Sequence, residues 1–137
     1  MTKSYVENFL SINLLDRVNI SKISMSASEL LENAVKFSSK DGIRMMIKKL
    51  DKEEQLILVV FNYTDKKAAD HLIERVAEMN SHDPLQYYIE KMKESAVRND
   101  GKSGLGLARI NYEGEADLDI NYFENDGIVQ VRAVFKI

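Results

Sequence analysis

The sequence predicts an α+β domain, a two-layer α/β sandwich with helices on one face of a mixed, mostly antiparallel sheet. Strand-like segments come in pairs, one pair over 43–48 and 56–61 and the other over 116–123 and 128–136. Before and between them, apolar residues recur at spacings of three and four, the period of amphipathic helices. With 137 residues, 45% of them hydrophobic and 30% charged, the chain suits a single domain, 1–137, with one proper core.

In chain order, the first segment, near 3–15, carries Tyr5, Val6, Phe9, Leu10, Ile12 and Leu14 and reads as a helix. Its abrupt start leaves room for a preceding strand outside this sequence. From Ile20 the positions Ile23, Ala27, Leu30, Leu31, Ala34 and Val35 continue a second amphipathic helix, which the turn residues of 38–42 should end near Ser38. Ile43, Met45 and Ile47 alternate with polar or longer residues, as in a half-buried strand. The run at 56–61 is apolar throughout, which predicts a central strand covered on both faces.

Ala68, Ala69, Leu72, Ile73, Val76 and Met79 then trace a third helix. Asp83 can cap a fourth, and Pro84 suits its first position. The fourth carries Leu85, Tyr88, Ile89 and Met92, and one of Tyr87 and Tyr88 should be core while the other faces a pocket. A short helix restarts over 105–112, and the last two strands should join as a hairpin at Asn125, Asp126 and Gly127.

Composition narrows the function. A net charge of −3 argues against a general nucleic-acid binder. The absence of cysteine excludes disulfides, thiolate metal sites and a cysteine nucleophile. No apolar run approaches the roughly 18 residues that span a membrane, and no signal-peptide pattern opens the chain. The expectation is a cytoplasmic protein that engages neither nucleic acid nor membrane.

Two segments carry chemistry. In ELLENAVKFS at 29–38, a period of about 100° per residue puts Glu29, Asn33 and Lys36 within roughly 60° of one another, away from the apolar stripe. An amide oxygen suits Mg²⁺, a carboxylate can deprotonate a hydroxyl or water, and a lysine can neutralise phosphate charge. The plainer reading of this helix is a solvated face with Glu32 and Lys36 as an i,i+4 pair. In GKSGLGLARI at 101–110, Gly101, Gly104 and Gly106 flank Lys102 and Ser103 just before a helix. Glycines let backbone N–H groups approach phosphate oxygens, and the helix dipole favours the anion. Neither the P-loop nor the dinucleotide fingerprint fits these glycines. A flexible interhelical loop is the plainer alternative here.

Together these segments resemble the histidine-kinase-like ATPase superfamily, the GHKL or Bergerat fold. Its N box is written E-x-x-x-N-A-x-K-[YF]-[ST], and this chain has Glu29, Asn33, Ala34, Lys36, Phe37 and Ser38. Its second glycine box is G-x-G-L-G-L, and here Ser103, Gly104, Leu105, Gly106 and Leu107 are a near match, with Gly101 two residues before Ser103. The resemblance implies ATP and Mg²⁺ as cofactors, Glu29 as general base, Asn33 as the Mg²⁺ ligand, and Lys36, Lys102, Ser103, Gly104, Leu105 and Gly106 around the phosphates. Ser28 precedes Glu29 where a sensor kinase would carry an acceptor histidine. The small size looks most like the stand-alone bacterial anti-sigma-factor serine kinases. That implies a protein partner in a signalling pathway, an antagonist or a sigma-factor-like regulator, and a homodimer as one assembly.

One box departs. Where the family has D-x-G-x-G after the central strand, this chain reads FNYTDKK at 61–67, with Asn62 for the aspartate and Thr64 for the first glycine. A hydrogen bond to a charged group is worth roughly 1.5–3 kcal/mol, so adenine binding should weaken about ten- to a hundredfold. The sequence therefore predicts a degenerate ATPase-like regulator acting mainly through a protein partner, with ATP binding weak or absent. The alternative is an active Mg-ATP-binding serine kinase of the partner-switching type, and whether the chain is an enzyme stays open.

Overall fold

Helix α1 spans Thr2–Ile12 and α2 spans Arg17–Phe37. The hairpin of β1 (Arg44–Leu50) and β2 (Gln55–Tyr63) follows, then α3 (Lys66–Asn80), α4 (Pro84–Val97) and α5 (Leu105–Tyr112). The hairpin of β3 (Asp117–Phe123) and β4 (Ile128–Lys136) closes the chain. These elements come from a computed structural model, which describes residues 2–12, 16–98 and 104–137.

Local chemistry sets the boundaries. Helix α2 starts three residues earlier than the apolar period indicates, because the Asp16 carboxylate accepts a hydrogen bond from the Asn19 N–H at 2.8 Å. Asp65 caps α3 through Ala68 N–H at 2.8 Å, and Asp83 caps α4 through Gln86 N–H at 3.1 Å with Pro84 in the first turn. Gly127, at φ 66°, closes the β3–β4 turn by donating its N–H to the Phe123 carbonyl at 2.9 Å.

The strands lie in the order β1-β2-β4-β3, and every pairing among the described residues is antiparallel. Leu56, Leu58 and Val60 of β2, with Val131, Ala133 and Phe135 of β4, face the helices and are buried. Against them pack Ile23, Ala27, Leu30 and Ala34 of α2, with Leu72, Val76, Met79, Tyr87, Leu107 and Ile110. Each large apolar side chain buried this way stabilises the fold by about 1.5–3 kcal/mol before entropy is counted. Val35, expected in the stripe of α2, is 68% exposed, because seven successive positions wrap beyond the face that meets the sheet.

The expectation of a strand covered on both faces needs correction. Along β2 every second residue is buried, while Ile57, Val59 and Phe61 between them stay half-buried and lie outside the core cluster. Helices cover one face of the sheet only. Among the described residues, no helix is long and apolar enough to cross a membrane.

Candidate functional site

Glu29, Asn33 and Lys36 line one side of a cavity of about 310 Å³, and Gly104, Leu105 and Gly106 line the other. The two segments therefore meet, eighty residues apart in sequence at the Glu29–Arg109 contact. The size is that of a small-molecule pocket.

Glycine makes the approach possible. A Cβ on Gly106 would stand 2.7 Å from Glu29 Oε2 and 3.6 Å from Asn33 Nδ2, so a side chain there would fill the space between α5 and α2. Gly104 sits at φ 84°, a left-handed conformation, and a Cβ would stand 2.8 Å from Arg75 Cδ. Gly104 gives α5 no side-chain cap, and the first turn of that helix borders the cavity. Lys102 and Ser103, expected beside the phosphates, lie outside the described residues.

Asn62 and Thr64 do not line this cavity. Both are buried, at 4% and 3% exposure. Asn62 Nδ2 donates to the Tyr63 carbonyl at 3.1 Å, and Thr64 Oγ1 donates to the Phe37 carbonyl at 2.9 Å, at the end of α2. These two side chains bond to backbone, where the resemblance leads one to look for base recognition.

Arg109, another wall residue, was not singled out in the sequence. Arg109 donates from Nε to Glu113 Oε2 at 2.6 Å and from Nη1 to Glu29 Oε1 at 3.3 Å. Tyr88 donates its hydroxyl to the same Glu113 oxygen at 3.1 Å, and its ring leans on Tyr112 at 5.5 Å between centroids. The signal was present: Gly106 and Arg109 are three apart, so they share a face of α5. Of the tyrosine pair, Tyr87 is core and Tyr88 faces the cavity, as expected of one of each.

The network shifts its own protons. The hydrogen bond from Arg109 holds the Glu113 carboxyl below the usual range, and that bond in turn raises the Arg109 guanidinium. Burial pushes the Tyr88 hydroxyl up, helped by its bond to Glu113. Among the described residues, no group of three or more His, Cys, Asp or Glu side chains could hold a metal. A Mg²⁺ held through Asn33 and phosphate oxygens would not need one, since this ion takes few protein ligands.

No protein-family model matches the chain, and no curated protein matches it. A chain in the crystal structure of the SiaB-SiaC complex from Pseudomonas aeruginosa does match in shape, with a TM-score of 0.77. The match covers 97% of this chain and 81% of that one at 14% identity, a level that carries the fold. The fold is of the Bergerat type. Helix α2 carries the segment that resembles the N box and α5 opens on the one that resembles the second glycine box, and these two elements bound the cavity.

Proposed function

We propose that this protein is a bacterial signalling kinase of the partner-switching kind, which binds Mg-ATP in the α2–α5 cavity and phosphorylates a serine of a protein partner. The observation that carries this reading is the meeting of Glu29 and Asn33 with Gly104 and Gly106 around one cavity. The shape likeness to a chain from a two-protein complex supports a protein partner, an antagonist or a sigma-factor-like regulator.

The phosphate side fits the implied cofactor: the Gly106 position leaves a space that a single Cβ would fill, beside an amide and a carboxylate. ATP supplies the transferable phosphoryl group when bound, with Mg²⁺ screening its charge. Asn33 would give the metal its amide oxygen, and Lys36 would face the phosphates. Glu29 would accept the proton of the attacking serine hydroxyl, a role worth about 10²–10⁴-fold in rate. Arg109, bonded to Glu29, would keep that carboxylate aimed into the cavity.

A second reading, a degenerate regulator that acts by partner binding alone, is favoured by Asn62, whose amide is turned to the Tyr63 carbonyl and away from the cavity. Titration calorimetry with Mg-ATP separates the two. Binding at micromolar to low millimolar concentration that disappears in Asn33→Ala supports the kinase. Equal binding by both chains rejects the assigned metal ligand, and no binding by the wild type leaves the degenerate regulator.

A further inference from the structure

The sheet face that no helix covers holds a pocket of its own at one end, about 380 Å³ in volume. The strand register builds its floor. Tyr63, Ile128 and Phe123 form one row across β2, β4 and β3, and Arg44 of β1 stands opposite Phe61 in the next. Met46 completes the lining along β1, while Gln130 and Arg132, farther along β4, lie outside it. This pocket shares no residue with the α2–α5 cavity.

Its walls are fixed by backbone. Gly42 leads into β1 at φ 118°, where a Cβ would stand 2.9 Å from Tyr63 Cε2. Glycine there lets the Tyr63 ring lie against the chain, with the Lys40 ammonium 4.2 Å from the ring centroid. Ser39 N–H donates to the Tyr63 carbonyl and Thr64 N–H to the Gly127 carbonyl, both at 2.9 Å. These bonds tie the loop before β1 and the β3–β4 turn to the end of β2. A preformed concavity lined by aromatic side chains and a few polar groups has the character of a small-molecule site.

We propose that this pocket binds a small aromatic monocarboxylate, with its ring against Phe61, Tyr63 and Phe123 and its carboxylate on Arg44. Among the described residues Arg44 makes no ion pair and no side-chain hydrogen bond, so its guanidinium is available for a bidentate bond to a carboxylate. The three aromatic side chains offer a flat ring the offset and edge-to-face contacts that aromatic groups prefer. Asp126, in the β3–β4 turn across the sheet from β1, is the other charged side chain of the lining. It opposes a second carboxylate at that end, so the fitting ligand is anionic at one end and apolar at the other. This inference is independent of the nucleotide reading.

Methionine-methyl NMR of the full chain tests it, because Met46 lines this pocket and Met92 lines the α2–α5 cavity. The probe is 2-naphthoate. The Met46 methyl signal is expected to move saturably, with a Kd at or below about 1 mM, while Met92 stays unmoved. Neutral 2-naphthamide on the wild type, and 2-naphthoate on Arg44→Gln, are each expected to bind at least about tenfold more weakly. Arg44 is exposed and outside the core cluster, so the variant keeps the fold, which circular dichroism verifies. A Met46 signal that stays in place overturns the proposal, as does movement of Met92 instead. Equal affinity for acid and amide, or for wild type and Arg44→Gln, overturns it too.

Discussion

Arg109 Nη1 stands 3.3 Å from Glu29 Oε1, which ties the helix after the glycines to the helix of the N-box segment. The pair is half exposed on the arginine side, at 46%, so its direct contribution to stability is small, below about 1 kcal/mol. Its larger effect is on where the carboxylate points. Arg109→Ala is therefore expected to leave the denaturation midpoint nearly unchanged while lowering phosphotransfer. Glu29→Gln should lower phosphotransfer further, by about 10²–10⁴-fold, with Mg-ATP affinity retained. Single-turnover transfer beside calorimetry reads both.

Gly106→Ala should separate stability from function. An alanine gains up to about 1 kcal/mol of helix propensity over glycine. The one close contact of the Cβ it adds is the flexible end of Glu29, at 2.7 Å, which can swing aside. The chain should remain folded with its midpoint within about 1 kcal/mol of the wild type. Displacing the carboxylate by about 1 Å should cost on the order of a hundredfold in transfer rate. Equal rates in a folded variant would remove Glu29 from the chemistry.

The Glu113 network predicts a pH dependence. Its folded-state carboxyl is held below the ordinary value by Arg109, with Tyr88 helping. A depressed carboxyl contributes stability that is present above its unfolded value and lost as pH falls through the lower folded one. Thermal melts of the wild type should therefore decline below about pH 4.5 more steeply than those of Glu113→Gln. The difference will be a fraction of a kcal/mol, since Glu113 is 41% exposed and its pair is screened.

Asn62→Asp installs the aspartate that the resembling family carries in its first glycine box, and it should destabilise the chain. The buried amide donates to the Tyr63 carbonyl, and a carboxylate cannot. The loss should be about 1–3 kcal/mol by chemical denaturation. If the kinase reading is right, saturating Mg-ATP should recover part of it through linkage. A variant as stable as the wild type would mean that the Asn62 bond contributes nothing.

Most of the fold was legible because period and punctuation agree in this chain. Asp83 and Pro84 start α4 and Gly127 turns the last hairpin where the residue types indicate. The start of α2 was missed because the apolar residue its first turn adds before Ile20, Val18, lies off the buried face and outside the period. The β2 run was over-read, since an apolar strand face signals that it needs cover without saying from where. At the cavity, Glu29, Asn33 and the glycines were legible as spacing. Arg109 was not, because its relation to Glu29 exists only once α5 and α2 are packed together.

Thr64 has a history written into its hydroxyl. It occupies a position where the resembling family carries glycine, and its bond satisfies the Phe37 carbonyl, one of the orphan acceptors that every helix end leaves. A glycine here would gain backbone freedom and remove the donor, buried at 3% exposure, that satisfies this acceptor. Asn62 beside it is bound in the same way to Tyr63. Replacing either side chain would therefore cost stability first. At both positions the side chain serves the end of a helix or strand, so a change there alters the scaffold before it alters the cavity.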